Sequence, residues 1–267
     1  MIEIQWILSF LLLGSVAGFM AGLLGIGGGG IMVPVLTSIF LQQGMAAENV
    51  VHLALGTSMA SIIMTSISSM RSHHAKRGVI WAIVKKMSPG IVIGTFLATF
   101  IAAYASSLHL SIFFAIFMAF VSLQMFINKR PKAHRQLAGN TGLFVAGSGI
   151  GAVSALVSIG GGSITVPYLS WQNVEIKKAI GTSAAIGLPI SIAGTLGYLI
   201  NGWGHSSLVE YTLGFVYVPA VVLISIASFI TAPFGVKLVH QLPIPIIKKI
   251  FAVLLIILSL KMLSSIL

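Results

Sequence analysis

Two short stretches of this sequence carry backbone chemistry, and they are nearly the same stretch. Ile26–Leu36 reads IGGGGIMVPVL and Ile159–Leu169 reads IGGGSITVPYL. Eight of the eleven positions are identical, at a constant offset of 133 residues (160 − 27 = 133). A run of three or four glycines breaks a helix, because glycine loses the most backbone freedom on folding. A helix that restarts after such a break presents unsatisfied N–H groups and about half a positive charge at its N-terminus. That is the chemistry of anion binding. The residues at the restarts are Gly27, Gly28, Gly29 and Gly30 in the first copy, and Gly160, Gly161, Gly162 and Ser163 in the second. Both copies lie in apolar sequence, where a broken helix survives only if protein buries it or it lines a cavity.

Hydroxyls are the second resource. Gly56-Thr57-Ser58 recurs as Gly181-Thr182-Ser183, at an offset of 125. Thr57 is placed roughly 10 Å into its span and Thr182 roughly 8 Å into its own, at 1.5 Å per residue. Half the hydrocarbon thickness is about 15 Å, so the two Thr-Ser pairs flank the centre from opposite sides. Thr57, Ser58, Thr182 and Ser183 are therefore expected to donate to a bound anion, alongside the glycine N–H groups. Ser58, Ser61, Thr65 and Ser68 share one helical face; Ser191 and Thr195 are further candidates. The competing use of such hydroxyls is to bond their own i−4 carbonyl or a neighbouring helix.

Other chemistry is poorly supplied. There is no Asp, and Glu3, Glu48, Glu175 and Glu210 all fall near span ends, which argues against a proton relay through buried carboxylates. There is no Cys, and no His pair at i, i+4 within a span, so no metal site, catalytic residue or cofactor is expected. His52 is expected at the membrane interface. His73, His74, His134 and His240 read as solvated among loop residues, and Trp171 and Trp203 as interfacial anchors.

The elements that must position these groups are membrane spans. The chain has 267 residues, 57% hydrophobic and only 7% charged, against about 25% charged in a soluble domain. It reads as an all-α, multi-pass integral membrane protein. The expected apolar runs are Ile4–Leu24, a short Ile31–Leu41, Val50–Met70, Met87–Tyr104 with Pro89 in its first turn, and Leu110–Ile127. In the second half they are Gly142–Val157, a short Ile164–Trp171, a span from Lys177 to Ile200, Tyr211–Phe234 with Pro219, and a last span to Leu267. Pro89 is matched to Pro219 at an offset of 130. The net charge of +11 sits in short loops, where a basic excess marks the cytoplasmic side and not a nucleic-acid partner.

Orientation follows from those basic residues. If each glycine break is a hairpin at membrane depth, 14 of the 15 Lys and Arg fall on one side, leaving Lys261 alone. The expected organisation is then two inverted-topology repeats, each a Gly-broken hairpin plus three transmembrane helices. They cover 1–127 and 142–267 and are joined by a basic cytoplasmic linker, 128–141. Bends in corresponding positions of two halves point to a substrate site near the midplane.

With Gly25-Ile-Gly-Gly-Gly-Gly before Val33-Pro34, Ser158-Ile-Gly-Gly-Gly-Ser before Val166-Pro167 and the two Gly-Thr-Ser triplets, the sequence resembles the TauE/SafE family of membrane transporters. The resemblance spans both halves. It implies a secondary transporter, often an exporter, of small sulfur-containing anions such as sulfite, sulfonates or sulfoacetate, with a coupling ion left open. The alternatives are a passive anion channel with the same bends, or a membrane assembly protein without transport. An intramembrane enzyme would need a nucleophile with its base, or a metal, and neither is found. The expected partners are thus a small anion and the lipid bilayer.

Overall fold

The computed structural model describes residues 3–127, 137–204, 210–239 and 244–266. The basic run 128–135, with His134, and His240 lie outside the described residues. Ten helices and one small hairpin follow in order. They are α1 (Ile4–Leu24), α2 (Gly29–Gln42), α3 (Val50–Ala75), α4 (Trp81–Tyr104), α5 (Ser107–Ile127), α6 (Asn140–Val157), α7 (Gly162–Trp171), α8 (Ile176–Asn201), β1 (Thr212–Leu213), β2 (Val216–Tyr217), α9 (Val218–Val239) and α10 (Ile244–Ile266).

Among the described residues, eight helices are long and apolar enough to cross a bilayer. The chain is a multi-pass membrane protein. The two exceptions follow the glycine runs. α2 has 14 residues and α7 has 10, roughly 21 and 15 Å at 1.5 Å per residue, short of the ~30 Å hydrocarbon core.

Burial sorts the spans. The apolar window of α3 is 83% buried and that of α8 is 67%, against 33% for α5 and 28% for α10. α3 and α8 pack on each other at the centre, while α5 and α10 pair at the edge and face lipid. The other close pairs are α1 with α9 and α4 with α6. Gly14, Gly18 and Gly22 of α1 lie against the backbone of Ile224, Ser228 and Ala232. Gly147 and Gly151 of α6 lie against Met87 and Ile91. Small residues every fourth position let backbones approach, the usual device where lipid offers no hydrophobic drive.

Those contacts give a register between α4 and α9. Gly14 and Gly147 are 133 apart; their partners Ile224 and Met87 are 137 apart, as are Ser228 and Ile91. The match of Pro89 with Pro219 at 130 is therefore off by seven residues, two helical turns. The cause is a helix start that the prolines hide. α4 begins at Trp81, so Lys85 and Lys86 are helical and Pro89 is its ninth residue and not in its first turn. Residues 211–217 end in the β1–β2 hairpin, so α9 starts at Val218 and Pro219 sits in its first turn, where proline is tolerated. α3 likewise runs past Met70 to Ala75, into the predicted basic loop.

Candidate functional site

α1 ends at Gly25 in the left-handed region (φ 71°), its N–H bonded to the Ala21 carbonyl. α6 ends at the corresponding Ser158 (φ 48°), bonded to Ser154. Gly27 and Gly28 (φ 81° and 83°) then turn the chain into α2, and Gly161 (φ 80°) turns it into α7. Glycine adopts these angles without the cost an L side chain bears.

The two bends cross in direct contact. The Gly160 N–H donates to the Ile26 carbonyl at 2.9 Å. A Cβ on Gly27 would lie 2.8 Å from the Gly160 Cα, and one on Gly160 would lie 2.9 Å from the Gly27 Cα. Gly27 and Gly160 correspond in the two copies, so equivalent atoms meet. The flanking contacts correspond too: Gly29 packs against the Ser158 carbonyl, and Gly162 against the Gly25 carbonyl. The sequence placed these glycines at two helix restarts; the structure brings the restarts together.

At those restarts only the third and fourth donors find a local acceptor. Ile31 and Met32 N–H bond Gly28, and Ile164 and Thr165 N–H bond Gly161. The N–H groups of Gly29, Gly30, Gly162 and Ser163 have no backbone acceptor among the described residues. They are the orphan donors of two helix N-termini.

The four hydroxyls of the Gly-Thr-Ser triplets divide by role. Thr57 Oγ1 accepts the Tyr217 N–H at 2.9 Å, just ahead of α9. Thr182 Oγ1 accepts the Ile80 N–H at 3.0 Å, just ahead of α4. Each threonine thus caps a helix of the other half, a use that intrahelical spacing does not reveal. Ser183 Oγ lies 2.8 Å from the Ile180 carbonyl and 3.3 Å from the Gly25 carbonyl, which ties α8 to the first bend. Ser158 Oγ donates to the Leu55 carbonyl at 3.2 Å and ties α3 to the second bend. Ser58, one turn on, is fully buried and its hydroxyl has no partner.

Lower on α3 the hydroxyl face serves packing. Ser61 bonds the Thr57 carbonyl, Thr65 bonds Ser61 and the Ser228 hydroxyl, and Ser68 bonds the Phe229 carbonyl. Ser191 and Thr195 bond within α8. Two histidines depart from expectation. His52 is buried, with Nε2 3.0 Å from the Ala102 carbonyl, and His73 is buried with Nε2 3.2 Å from the Gly22 carbonyl. A carbonyl of a neighbouring helix lies at each Nε2, so both rings sit inside the bundle. Trp203 is exposed.

The two short helices differ in their cover. α2 packs on α10, and Gly30 meets Leu255 and Met118. α7 stands off α5 across a cavity of about 330 Å³ that reaches Ser163, with Phe117 and Gln124 on one wall and Tyr168 and Trp171 on the other.

The four glutamates lie at helix caps or in turns, and no group of three or more His, Cys, Asp or Glu is placed to hold a metal among the described residues. The family model described as Sulfite exporter TauE/SafE matches residues 10–262. The chain belongs to the TauE/SafE family. Relatives agree in kind. The chain is 34% identical over 258 residues to a "Probable membrane transporter protein" of Haemophilus influenzae, covering 96% of this chain and 98% of that one. It is 26% identical over 238 residues to the "Probable membrane transporter protein MJ0441" of Methanocaldococcus jannaschii, covering 85% of this chain and 84% of the other. It is also 26% identical to the Bacillus subtilis protein "Probable membrane transporter protein YdhB", covering 91% and 92%. No solved structure matches the chain significantly.

Proposed function

We propose that this TauE/SafE transporter is a secondary transporter, working as an exporter, of small sulfur-containing anions such as sulfite, sulfonates or sulfoacetate. The anion is held where the bends cross. The observation that carries this reading is the contact of Gly27 with Gly160, which puts two helix N-termini at one place. The orphan N–H groups of Gly29, Gly30, Gly162 and Ser163 supply the attraction, and Ser58 and Ser183 supply hydroxyls, Ser183 by turning its O–H from the Ile180 and Gly25 carbonyls to the anion. Gly27, Gly28, Gly160 and Gly161 shape the turn. Thr57 and Thr182 fix the helices that enclose it. No Lys or Arg is needed, because two helix N-termini carry about one positive charge between them.

The reading includes two inverted repeats, 1–127 and 142–267, joined by 128–141. The exchange of partners between halves supports this: α1 pairs with α9 as α6 pairs with α4, and α3 and α8 pair with each other. The closed contact between the bends favours a transporter over a passive channel, since an open path at the centre would need them apart. Counterflow of radiolabelled sulfite in proteoliposomes tests it. Unlabelled sulfite inside should accelerate uptake of label. Uptake indifferent to trans substrate would establish a channel, and no uptake of any sulfur anion would remove the reading.

A further inference from the structure

α1 ends where α2 begins, so the first bend has a negative side as well as a positive one. Beside the C-terminal turn of α1 lies a crevice lined by Ala21, Gly25, Gly27 and Gly160, by Ala184 of α8, and by Thr65, Ser66 and Ser69 of α3. It is too narrow in this conformation to admit a water molecule. The three hydroxyl residues are 0%, 3% and 2% exposed, and the Ser69 hydroxyl has no hydrogen-bond partner among the described residues. An unsatisfied hydroxyl at this depth costs about 1–3 kcal/mol, so its retention calls for a reason.

The second half provides the comparison. At the α3-to-α8 offset of 125, Ser69 corresponds to Gly194, Thr65 to Ile190, and Ala184 to Met59. There the sulfur of Met59 packs onto Gly194, and the corresponding space is filled. The halves agree at the bends and diverge at this crevice: Thr65 and Ser69 line it in the first half, and Met59 packs into the corresponding place in the second.

We propose that the crevice binds one small monovalent cation, Na⁺ by size, and that this ion is the coupling ion of the transporter. Its binding stands on the crevice alone; its coupling rests on the anion-transport reading. The physical case is one of sign and space. A helix C-terminus carries about half a negative charge, and C-terminal half-helix ends with unwound carbonyls are where transporters hold Na⁺. Hydroxyl oxygens complete the shell. A divalent cation would call for carboxylates, and none lines the crevice. An anion beside the C-terminal turn of α1 would meet the wrong end of the dipole.

Thermal unfolding of the purified full chain in NaCl, KCl or choline chloride at equal ionic strength, with and without sulfite, is the test. Na⁺ should raise the melting temperature by mass action, with half-maximal effect at a lower concentration than K⁺, and choline should do nothing. Ser69→Ala should raise the half-maximal Na⁺ concentration by roughly tenfold, the loss of one ligand to a charge. Ala184→Met with Ser69→Gly copies the filled pair of the second half and should abolish the Na⁺ response while melting normally in choline. Equal melting of the native chain in NaCl and choline chloride overturns the proposal. So does a half-maximal concentration in Ser69→Ala within twofold of the native one. A sulfite response without a Na⁺ response removes the cation site and leaves the anion site standing; a Na⁺ response without a sulfite response does the reverse.

Discussion

Gly27→Ala and Gly160→Ala are the same substitution at corresponding positions of one contact, and the structure gives them different consequences. A Cβ at residue 27 meets the Gly160 Cα and N at 2.8 Å, and one at residue 160 meets the Gly27 Cα at 2.9 Å. Both atoms it would strike are backbone, which cannot swing aside, so each substitution overpacks the crossing by about 1–3 kcal/mol. Gly27 alone has a positive φ, 81°, where an L residue costs roughly 1–2 kcal/mol more. Gly27→Ala should then lose about 2–5 kcal/mol and Gly160→Ala about 1–3. At 2–4 °C per kcal/mol for a chain of this size, that is roughly 4–20 °C against 2–12 °C in melting temperature. Because both relieve one clash by parting the bends, the double variant should lose less than the sum of the two. Thermal unfolding of the four proteins in one detergent reads all of this. Neutral single variants would show that the bends do not touch, and a Gly160→Ala more damaging than Gly27→Ala would refute the backbone argument.

Thr57→Val strands the buried Tyr217 N–H and should lower stability by about 1–3 kcal/mol, Thr182→Val strands the half-buried Ile80 N–H and should cost less, and Thr→Ser at either position restores it; melting curves decide. Gly18→Leu should split α1 from α9 and Gly151→Leu should split α6 from α4, both giving poorly folded protein by size exclusion, whereas Gly149→Leu, which meets open space, should not. For the inverted repeats, single cysteines at Ser106 and Trp203 should react with an impermeant thiol reagent in intact cells, and those at Ser72 and Asn173 should not. Reaction at 72 and 173 with protection at 106 and 203 would reverse the orientation, and placing 72 and 173 on opposite sides would remove the repeat model.

Much of this architecture is legible in the sequence because lipid leaves few options. Apolar runs give the spans, and the doubled glycine stretch gives two breaks at equal places. The glycines also show why α1 fits α9, once their partners are known. The starts of α4 and α9 were hidden for a physical reason: each is fixed by a threonine from the other half of the chain, and the two matched prolines stand two turns apart in register. What the repeat of Thr57 and Thr182 does not show is the backbone N–H that each oxygen accepts. His52 and His73 read as wet because an imidazole in a polar neighbourhood looks the same whether water or a neighbouring carbonyl holds it. The crevice at Ser69 is visible only when the two halves are compared residue by residue, where Met59 stands against Ala184.

The central claim is that an anion sits at the crossing, held by helix N-termini and the two triplet serines. Equilibrium binding of radiolabelled sulfite to the purified chain, to Ser58→Ala/Ser183→Ala and to Ser68→Ala tests it most directly. Each triplet hydroxyl should cost roughly tenfold in affinity, as lost hydrogen bonds to a charged group do. The double variant should then bind roughly a hundredfold more weakly, while Ser68→Ala, which bonds the Phe229 carbonyl on the α9 side, stays within about threefold. A folded double variant with native affinity, or one no weaker than Ser68→Ala, would contradict the account.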